Sequence, residues 1–317
     1  MRTAFSGVLA RFATSAKWRG VRASAPVLAA LATISSGCGG GNSDAVVAPA
    51  PSPVYAGPGV AAISEVGGRP AGYSLVWSDE FDVAGLPDSS KWSFDAPFAG
   101  ASNHELQYYT DARLDNARVE NGNLVIEAKL EDLSPAQYPD WSGQHYTSAR
   151  LVTRGNANWT RGFVEARARL PCGIGTWPAI WMLAATPVLH WPADGEIDIM
   201  EHVGFDQGVI HGTVHTSDYN GRLHNERTAT TAMADVCTAF HRYQMTWTAT
   251  RITIGMDDHN YFQYSNDGSG TAEWPFDGPQ YIVLNIAIGG DWGGLHGVDD
   301  TIFPVRMEID YVHVYQQ

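Results

Sequence analysis

The stretch Gly162-Phe163-Val164-Glu165-Ala166-Arg167-Ala168-Arg169-Leu170-Pro171 repeats with a period of two. Val164, Ala166, Ala168 and Leu170 fall on one face, and Glu165, Arg167 and Arg169 on the other. Side chains alternate across a strand and recur every three to four residues on a helix, so this pattern is a half-buried strand. Met307 to Tyr315 alternates too, with Met307, Ile309, Tyr311, His313 and Tyr315 set against Glu308, Asp310, Val312 and Val314. Arg251 to Met256 and Gln280 to Ala287 are β-branched runs bounded by Gly, Asn or Asp. Many short strands separated by turn residues, with hardly any helical stretch, predict an all-β fold, a sandwich or jelly roll of two antiparallel sheets. The polar face of several strands predicts one wet sheet face, as a substrate cleft requires.

Composition agrees. The 317 residues include 33 Gly, 11 Trp and 13 Tyr but are only 17% charged, which suits a turn-rich β protein with aromatic surfaces. Net charge is −14. The first 37 residues hold five basic and no acidic side chains, so the 15 basic and 34 acidic residues beyond them sum to −19. A chain this acidic lacks the Lys and Arg that displace phosphate counterions, which excludes sequence-independent nucleic-acid binding. Anionic polymers are repelled as well, and a neutral substrate fits best.

The N-terminus reads as a targeting segment. A basic stretch to Arg22 precedes a short apolar run, Ala25 to Ile34, and then Ser35-Ser36-Gly37-Cys38. Residues 1–38 resemble a bacterial lipoprotein signal, with Cys38 as the acylated residue; an ordinary cleaved secretory signal is the alternative. Export is expected either way. Residues 39–70 are Gly-, Ala- and Pro-rich and nearly uncharged, a spacer that cannot bury a core. The folded domain is expected over residues 71–317. Its two cysteines, Cys172 and Cys237, make an even pair in an oxidising compartment, which favours a disulfide over two buried thiols.

The chemistry concentrates in Asp194-Gly195-Glu196-Ile197-Asp198-Ile199-Met200-Glu201. Glu196 and Asp198 share a strand face, whereas Glu201, five residues on from Glu196, belongs on the other. A β-bulge around Ile199–Met200 adds one residue and returns Glu201 to the same face. Four strand steps separate the two glutamate Cα atoms by about 13 Å. Inward-leaning side chains can close this to roughly the 5–5.5 Å of a retaining glycosidase. Crowded carboxylates raise one another's pKa, keeping a proton for general-acid work. The bland alternative, a solvated acidic edge strand, sits poorly with the apolar, aromatic flanks.

Here the sequence resembles glycoside hydrolase family 16. The resemblance rests on Glu196 to Glu201 preceded by Gly175-Thr176-Trp177-Pro178-Ala179-Ile180-Trp181-Met182-Leu183. It extends through Trp77 to Phe81, Asn103 to Thr110, Ser148 to Leu151, His211 to His215, Leu284 to Gly290 and Asp310 to Val312. With its extra Met200, the acidic motif is similar to that of the laminarinase branch, the endo-β-1,3-glucanases. The resemblance implies a jelly roll with a cleft across its concave sheet. It also implies a retaining mechanism with Glu196 as nucleophile, Glu201 as acid/base and Asp198 between them. Trp177, Trp181 and Trp292 are implied as sugar platforms, with a core role as the alternative for each. Asn103 and Arg150 match positions that bind glucose hydroxyls, and His215 reads as a cleft residue on the leaving-group side.

No cofactor is expected for catalysis. His211 and His215 would pair as metal ligands on a helix, but Gly212, Thr213 and Val214 place them on a strand, and zinc is not predicted. The Gly-rich run from Gly289 to Gly297 lacks the helix and Lys of a phosphate loop. The resemblance does imply a structural calcium on the convex face, held by Glu80, the Gly122 carbonyl and Asp310, an oxygen set that suits the ion. An unmetallated sheet end is the alternative there. The expected partner is β-glucan alone, for a monomer that meets a membrane only through Cys38. A mixed-linkage glucanase, a transglycosylase and a non-catalytic glucan-binding protein stay open as alternatives, with Asp291 a departure that leaves linkage preference unset.

Overall fold

The computed structural model describes residues 67–96, 98–99 and 102–317. The signal segment, Cys38 and nearly all of the spacer lie outside the described residues. The strands in chain order are β1 (Ser74–Asp79), β2 (Ser93–Phe94), β3 (Phe98–Ala99), β4 (Gln107–Tyr109), β5 (Ala117–Glu120), β6 (Asn123–Leu130), β7 (Tyr146–Ser148), β8 (Arg150–Val152) and β9 (Gly162–Arg169). They continue with β10 (Thr176–Ala184), β11 (Glu196–His202), β12 (Val209–His215), β13 (Arg227–Ala232), β14 (His241–Trp247), β15 (Arg251–Met256), β16 (His259–Ser265), β17 (Gln280–Ile288) and β18 (Val305–Gln316). A 3-10 turn at Asp300–Ile302 is the only helical element among the described residues.

Two sheets form. One runs β13-β12-β11-β10-β17-β8-β2, and its neighbours all pair antiparallel. The other follows β16-β15-β14-β9-β18-β6-β7-β4-β3, with β1 beside β18 and β5 beside β6; only β4 and β7 pair in parallel. One apolar cluster joins them, taking Val164, Ala166, Met245 and Ile254 from one sheet and Ile180, Met182, Ile197 and Leu284 from the other. Strand β9 buries the residues its alternation assigns inward, while Glu165, Arg167 and Arg169 stay half-exposed. The β17 run is buried over all nine residues, as a central strand covered on both faces should be.

Strand β18 departs from its expected phase. Val305, Met307 and Ile309 are buried, but so are Val312 and Val314, while Tyr311, His313 and Tyr315 are only partly covered. The register against β9 slips between Ile309 and Tyr311. One extra residue there exchanges the two faces of the strand's second half, since the side-chain period is two. Outside the core, Arg167 pairs with Asp310 at 2.5 Å and Arg169 with Glu308 at 2.6 Å. Cys172 and Cys237 are joined as a disulfide with Cα atoms 5.8 Å apart.

Candidate active site

Strand β11 lies between β10 and β12, and both registers slip within it. Asp198 faces Thr213 and Glu201 faces His211, so three steps on β11 match two on β12. Against β10, Asp198 faces Trp181 and Met200 faces Ile180, leaving Ile199 as the extra residue. The bulge expected at Ile199–Met200 is present. Ile197, Ile199 and Met200 are fully buried, while Glu196 and Glu201 stay partly accessible. Glu196, Asp198 and Glu201 therefore share the face that also carries Trp177, Ala179 and Trp181 of β10 and His211, Thr213 and His215 of β12.

Each glutamate is held by a tryptophan. Trp191 Nε1 donates to Glu196 Oε2 at 2.9 Å, and Trp177 Nε1 donates to Glu201 Oε1 at 2.9 Å. His215 Nε2 lies 3.2 Å from Asp198 Oδ2 and 3.7 Å from Glu196 Oε1. The nearer contact is within ion-pair reach but off the hydrogen-bond line, and Asp198 Oδ2 has no hydrogen-bond partner. Among the described residues, Glu196, Asp198 and His215 are the only three His, Cys, Asp or Glu groups with ligand atoms all within 4.8 Å of one another.

Burial first, and then the Asp198 charge, pushes Glu196 up to about 8. Burial raises Asp198 as well, and Glu201 is carried well above the usual carboxylate range by burial and by Asp198. Three carboxyls that cannot all ionise together hold protons at neutral pH, and their titrations belong to the group. His215 and the two indole donors act in the opposite sense on the glutamates, favouring their ionised forms. The arrangement offers a proton on one carboxyl and charge on another side by side, as acetal cleavage requires.

The residues singled out as sugar contacts gather on this side of the sheet. Trp181 Nε1 donates to Asn285 Oδ1 at 2.7 Å, and the Arg150 guanidinium lies 4.7 Å from the Trp181 ring centroid. Asp95 Oδ2 is 3.1 Å from Arg150 Nε. Trp292 meets Trp177 edge-on at 5.4 Å and His211 at 4.8 Å, so Trp177, Trp292 and His211 form one aromatic corner beside Glu201. Asn103 sits in the loop before β4, and its carbonyl accepts from Asp291 N at 2.7 Å, which docks that loop on the Gly-rich run. Burial holds His211 neutral, at about 4, with its Nε2 unpartnered.

Sequence reading missed Trp191, Asn285, Tyr109 and Glu105. Trp191 belongs to the β10–β11 connection and folds back onto Glu196, with the Arg222 guanidinium 4.6 Å from its ring centroid. Its position three residues before Asp194, as the one tryptophan in that connection, was the available signal.

The strand register brings the three residues expected to hold calcium to one edge of β18. There β6 pairs as far as Ile309 and β1 takes over at Val312, so Asp310 lies where the Asn121–Gly122 turn ends and Glu80 begins. In this arrangement Arg167 occupies Asp310 Oδ2, and His313 Nε2 lies 2.8 Å from Glu80 Oε1. Each carboxylate keeps a second oxygen, and these with the Gly122 carbonyl are hard-oxygen donors of the kind calcium takes.

A two-sheet β-sandwich with three crowded carboxylates on one face of an inner strand has the arrangement of a double-carboxylate glycosidase. The profile of the Glycosyl hydrolases family 16 matches residues 104–313. A β-glucanase of Rhodothermus marinus is 50% identical over 252 residues, covering 77% of this chain and 85% of its own. The crystal structure of SCLam, a non-specific endo-β-1,3(4)-glucanase, superposes with a TM-score of 0.77 at 50% identity, covering 82% of this chain and 97% of that one. The laminarinase of Rhodothermus marinus gives 0.72 at 49% identity, over 77% and 97% of the two chains. The chain belongs to glycosyl hydrolases family 16, and its fold is the family's jelly roll.

Proposed function

We propose that this chain is a retaining endo-β-1,3-glucanase acting on laminarin-like glucan. The observation that carries the reading is the Ile199–Met200 bulge, which sets Glu196, Asp198 and Glu201 on one cleft face. In the first step a carboxylate oxygen of Glu196 attacks the anomeric carbon while the bond to the leaving oxygen breaks. Glu201 gives its proton to that oxygen. In the second step Glu201 takes a proton from water, the water oxygen attacks the same carbon, and Glu196 leaves. Two inversions retain the β configuration. Asp198 raises the proton affinity of both glutamates, and His215 and Trp191 favour the ionised nucleophile.

Relatedness to a non-specific endo-β-1,3(4)-glucanase supports mixed-linkage glucan as a second substrate. Transglycosylation stays the outcome if acceptor sugars outcompete water. A purely glucan-binding role is disfavoured by the retained carboxylates. The reading further includes export through residues 1–38, anchoring at Cys38, a spacer over 39–70 and a monomeric catalytic domain over 71–317. Calcium is proposed for Glu80, Gly122 and Asp310 with a role in stability alone, because these residues lie on a different sheet from the carboxylates.

Product analysis on laminarin, mixed-linkage glucan and agarose tests the proposal. Laminarin cut internally, with oligosaccharides as early products and loss of cutting in Glu196→Gln, is the expected result. Cleavage of mixed-linkage glucan or agarose alone would overturn the substrate assignment. Binding without cleavage of any of the three would overturn the enzymatic one.

A further inference from the structure

Glu105 is a carboxylate that the proposed mechanism does not use. Its loop is built with some strain: Asn103 and His104 are consecutive non-glycine residues with φ of 53° and 52°. Glu105 then bridges Gly289, and Leu106 N donates to Ile288 O at 2.8 Å, which pins the loop to the end of β17. Glu105 Oε2 accepts from Gln107 Nε2 at 2.6 Å and from the Tyr109 hydroxyl at 3.4 Å. The Tyr109 oxygen in turn accepts from Asn285 Nδ2 at 3.0 Å, and Asn285 Oδ1 holds Trp181 Nε1. A hydrogen-bonded chain thus runs from Glu105 to the indole opposite Asp198.

The other oxygen is left over. Glu105 Oε1 has one contact, Asn103 Nδ2 at 3.4 Å. Among the described residues no Lys, Arg or His lies within ion-pair distance of Glu105, and the nearest cation acting on it, Arg150, is engaged with Asp95. Burial raises its pKa, so the site holds its charge at a cost that protein partners do not offset. Gly290 packs against this loop. With φ of +77°, a Cβ there would stand 2.9 Å from the Asn103 carbonyl oxygen and 3.2 Å from Glu105 Cγ, so glycine lets the Asn103–Glu105 loop pack against this run, with Trp177 Cζ3 on the same side at 3.5 Å. Trp177 reaches Glu201 with Nε1, on the opposite end of the indole from Cζ3. Glu105 and the indole that holds Glu201 therefore flank the same glycine.

From this geometry we infer that Glu105 is a substrate-binding, specificity-determining residue, its free carboxylate oxygen accepting hydroxyl hydrogen bonds from a glucosyl unit removed from the cleaved bond. Neutral polyol hydroxyls can satisfy such an oxygen, and an anionic sugar is repelled by it. The inference rests on the glucanase reading above.

Its test is the dependence of kinetics on chain length, using laminari-oligosaccharides from trimer to heptamer with the full chain. Glu105→Ala is expected to raise KM for the long oligosaccharides by about 10- to 100-fold, the range for hydrogen bonds to a charged group, with kcat changed little. The shortest substrates cleaved should be unaffected. Glu105→Gln keeps the shape and one acceptor oxygen, and should recover much of the loss; it also carries the test if the alanine variant folds poorly. Tyr109→Phe is the comparison for a purely structural role, and its effect should be independent of length. Glu105 variants that lose activity equally at every length, or lose kcat with KM unchanged, overturn the inference while the glucanase reading stands. A wild-type chain that cleaves none of the oligosaccharides overturns both.

Discussion

Replacing Glu196 with Gln should make the protein more stable at neutral pH while abolishing its chemistry. Glu196 has an ordinary carboxylate value of 4.5 that the folded cleft raises to about 8, chiefly by burial. At pH 7 the unfolded chain has released this proton and the folded chain still binds it. Stability is therefore fully present below the unfolded value and declines as pH rises through the folded one. About 2.5 pH units separate 4.5 from 7, at ~1.4 kcal/mol each, which gives an upper bound of about 3.5 kcal/mol. Asp198 and Glu201 share the field, so about 1–3 kcal/mol is expected for the single replacement. Glutamine mimics the protonated carboxyl and can still accept from Trp191 Nε1. For a domain of this size the gain corresponds to a rise in Tm of roughly 2–4 °C per kcal/mol. Paired melts of wild type and Glu196→Gln at pH 7 and pH 4 measure it. The gain should appear at pH 7 and vanish at pH 4, where both states are protonated. A variant no more stable at pH 7, or equally stabilised at both pH values, would mean that Glu196 is not held protonated in the folded cleft.

Asp198→Asn removes a like charge that raises Glu201, so the alkaline limb of the pH profile of kcat/KM should move down; a limb that stays or moves up argues against the coupling. Trp191→Phe deletes the donor to Glu196 Oε2, which raises that group further, and should shift the acid limb upward with a loss of about 10- to 100-fold in kcat/KM. Replacing Cys172 and Cys237 by Ser should cost about 2–4 kcal/mol in denaturant melts and leave kcat/KM unchanged, both half-cystines packing against the apolar core. Calcium at micromolar to millimolar levels should raise Tm and a chelator lower it, with Asp310→Asn abolishing the difference and sparing kcat.

The two-layer β architecture was legible because strand patterns are local. Strand β9 shows it best: its inward and outward sets are those its alternation assigns. Strand β18 was harder, since its second half sets amphipathic rings, Tyr311, His313 and Tyr315, against Val312 and Val314. Alternation alone cannot choose between them, and the bulge beside Asp310 decides. The β11 bulge was legible for the converse reason, because only an added residue puts Glu201 with Glu196. What remained hidden is held by long-range contacts. Trp191 reaches Glu196 by a fold-back of its loop, and Tyr109 meets Asn285 across 176 positions of sequence. Nothing in linear spacing encodes either meeting.

Double displacement by Glu196 and Glu201 on a β-1,3-glucan leaves its mark in the anomeric proton NMR signals during early hydrolysis of a laminari-oligosaccharide. The β-anomer should appear first, with the α-anomer growing only as mutarotation proceeds. First appearance of the α-anomer would mean inversion, and Glu196 could not then be the nucleophile.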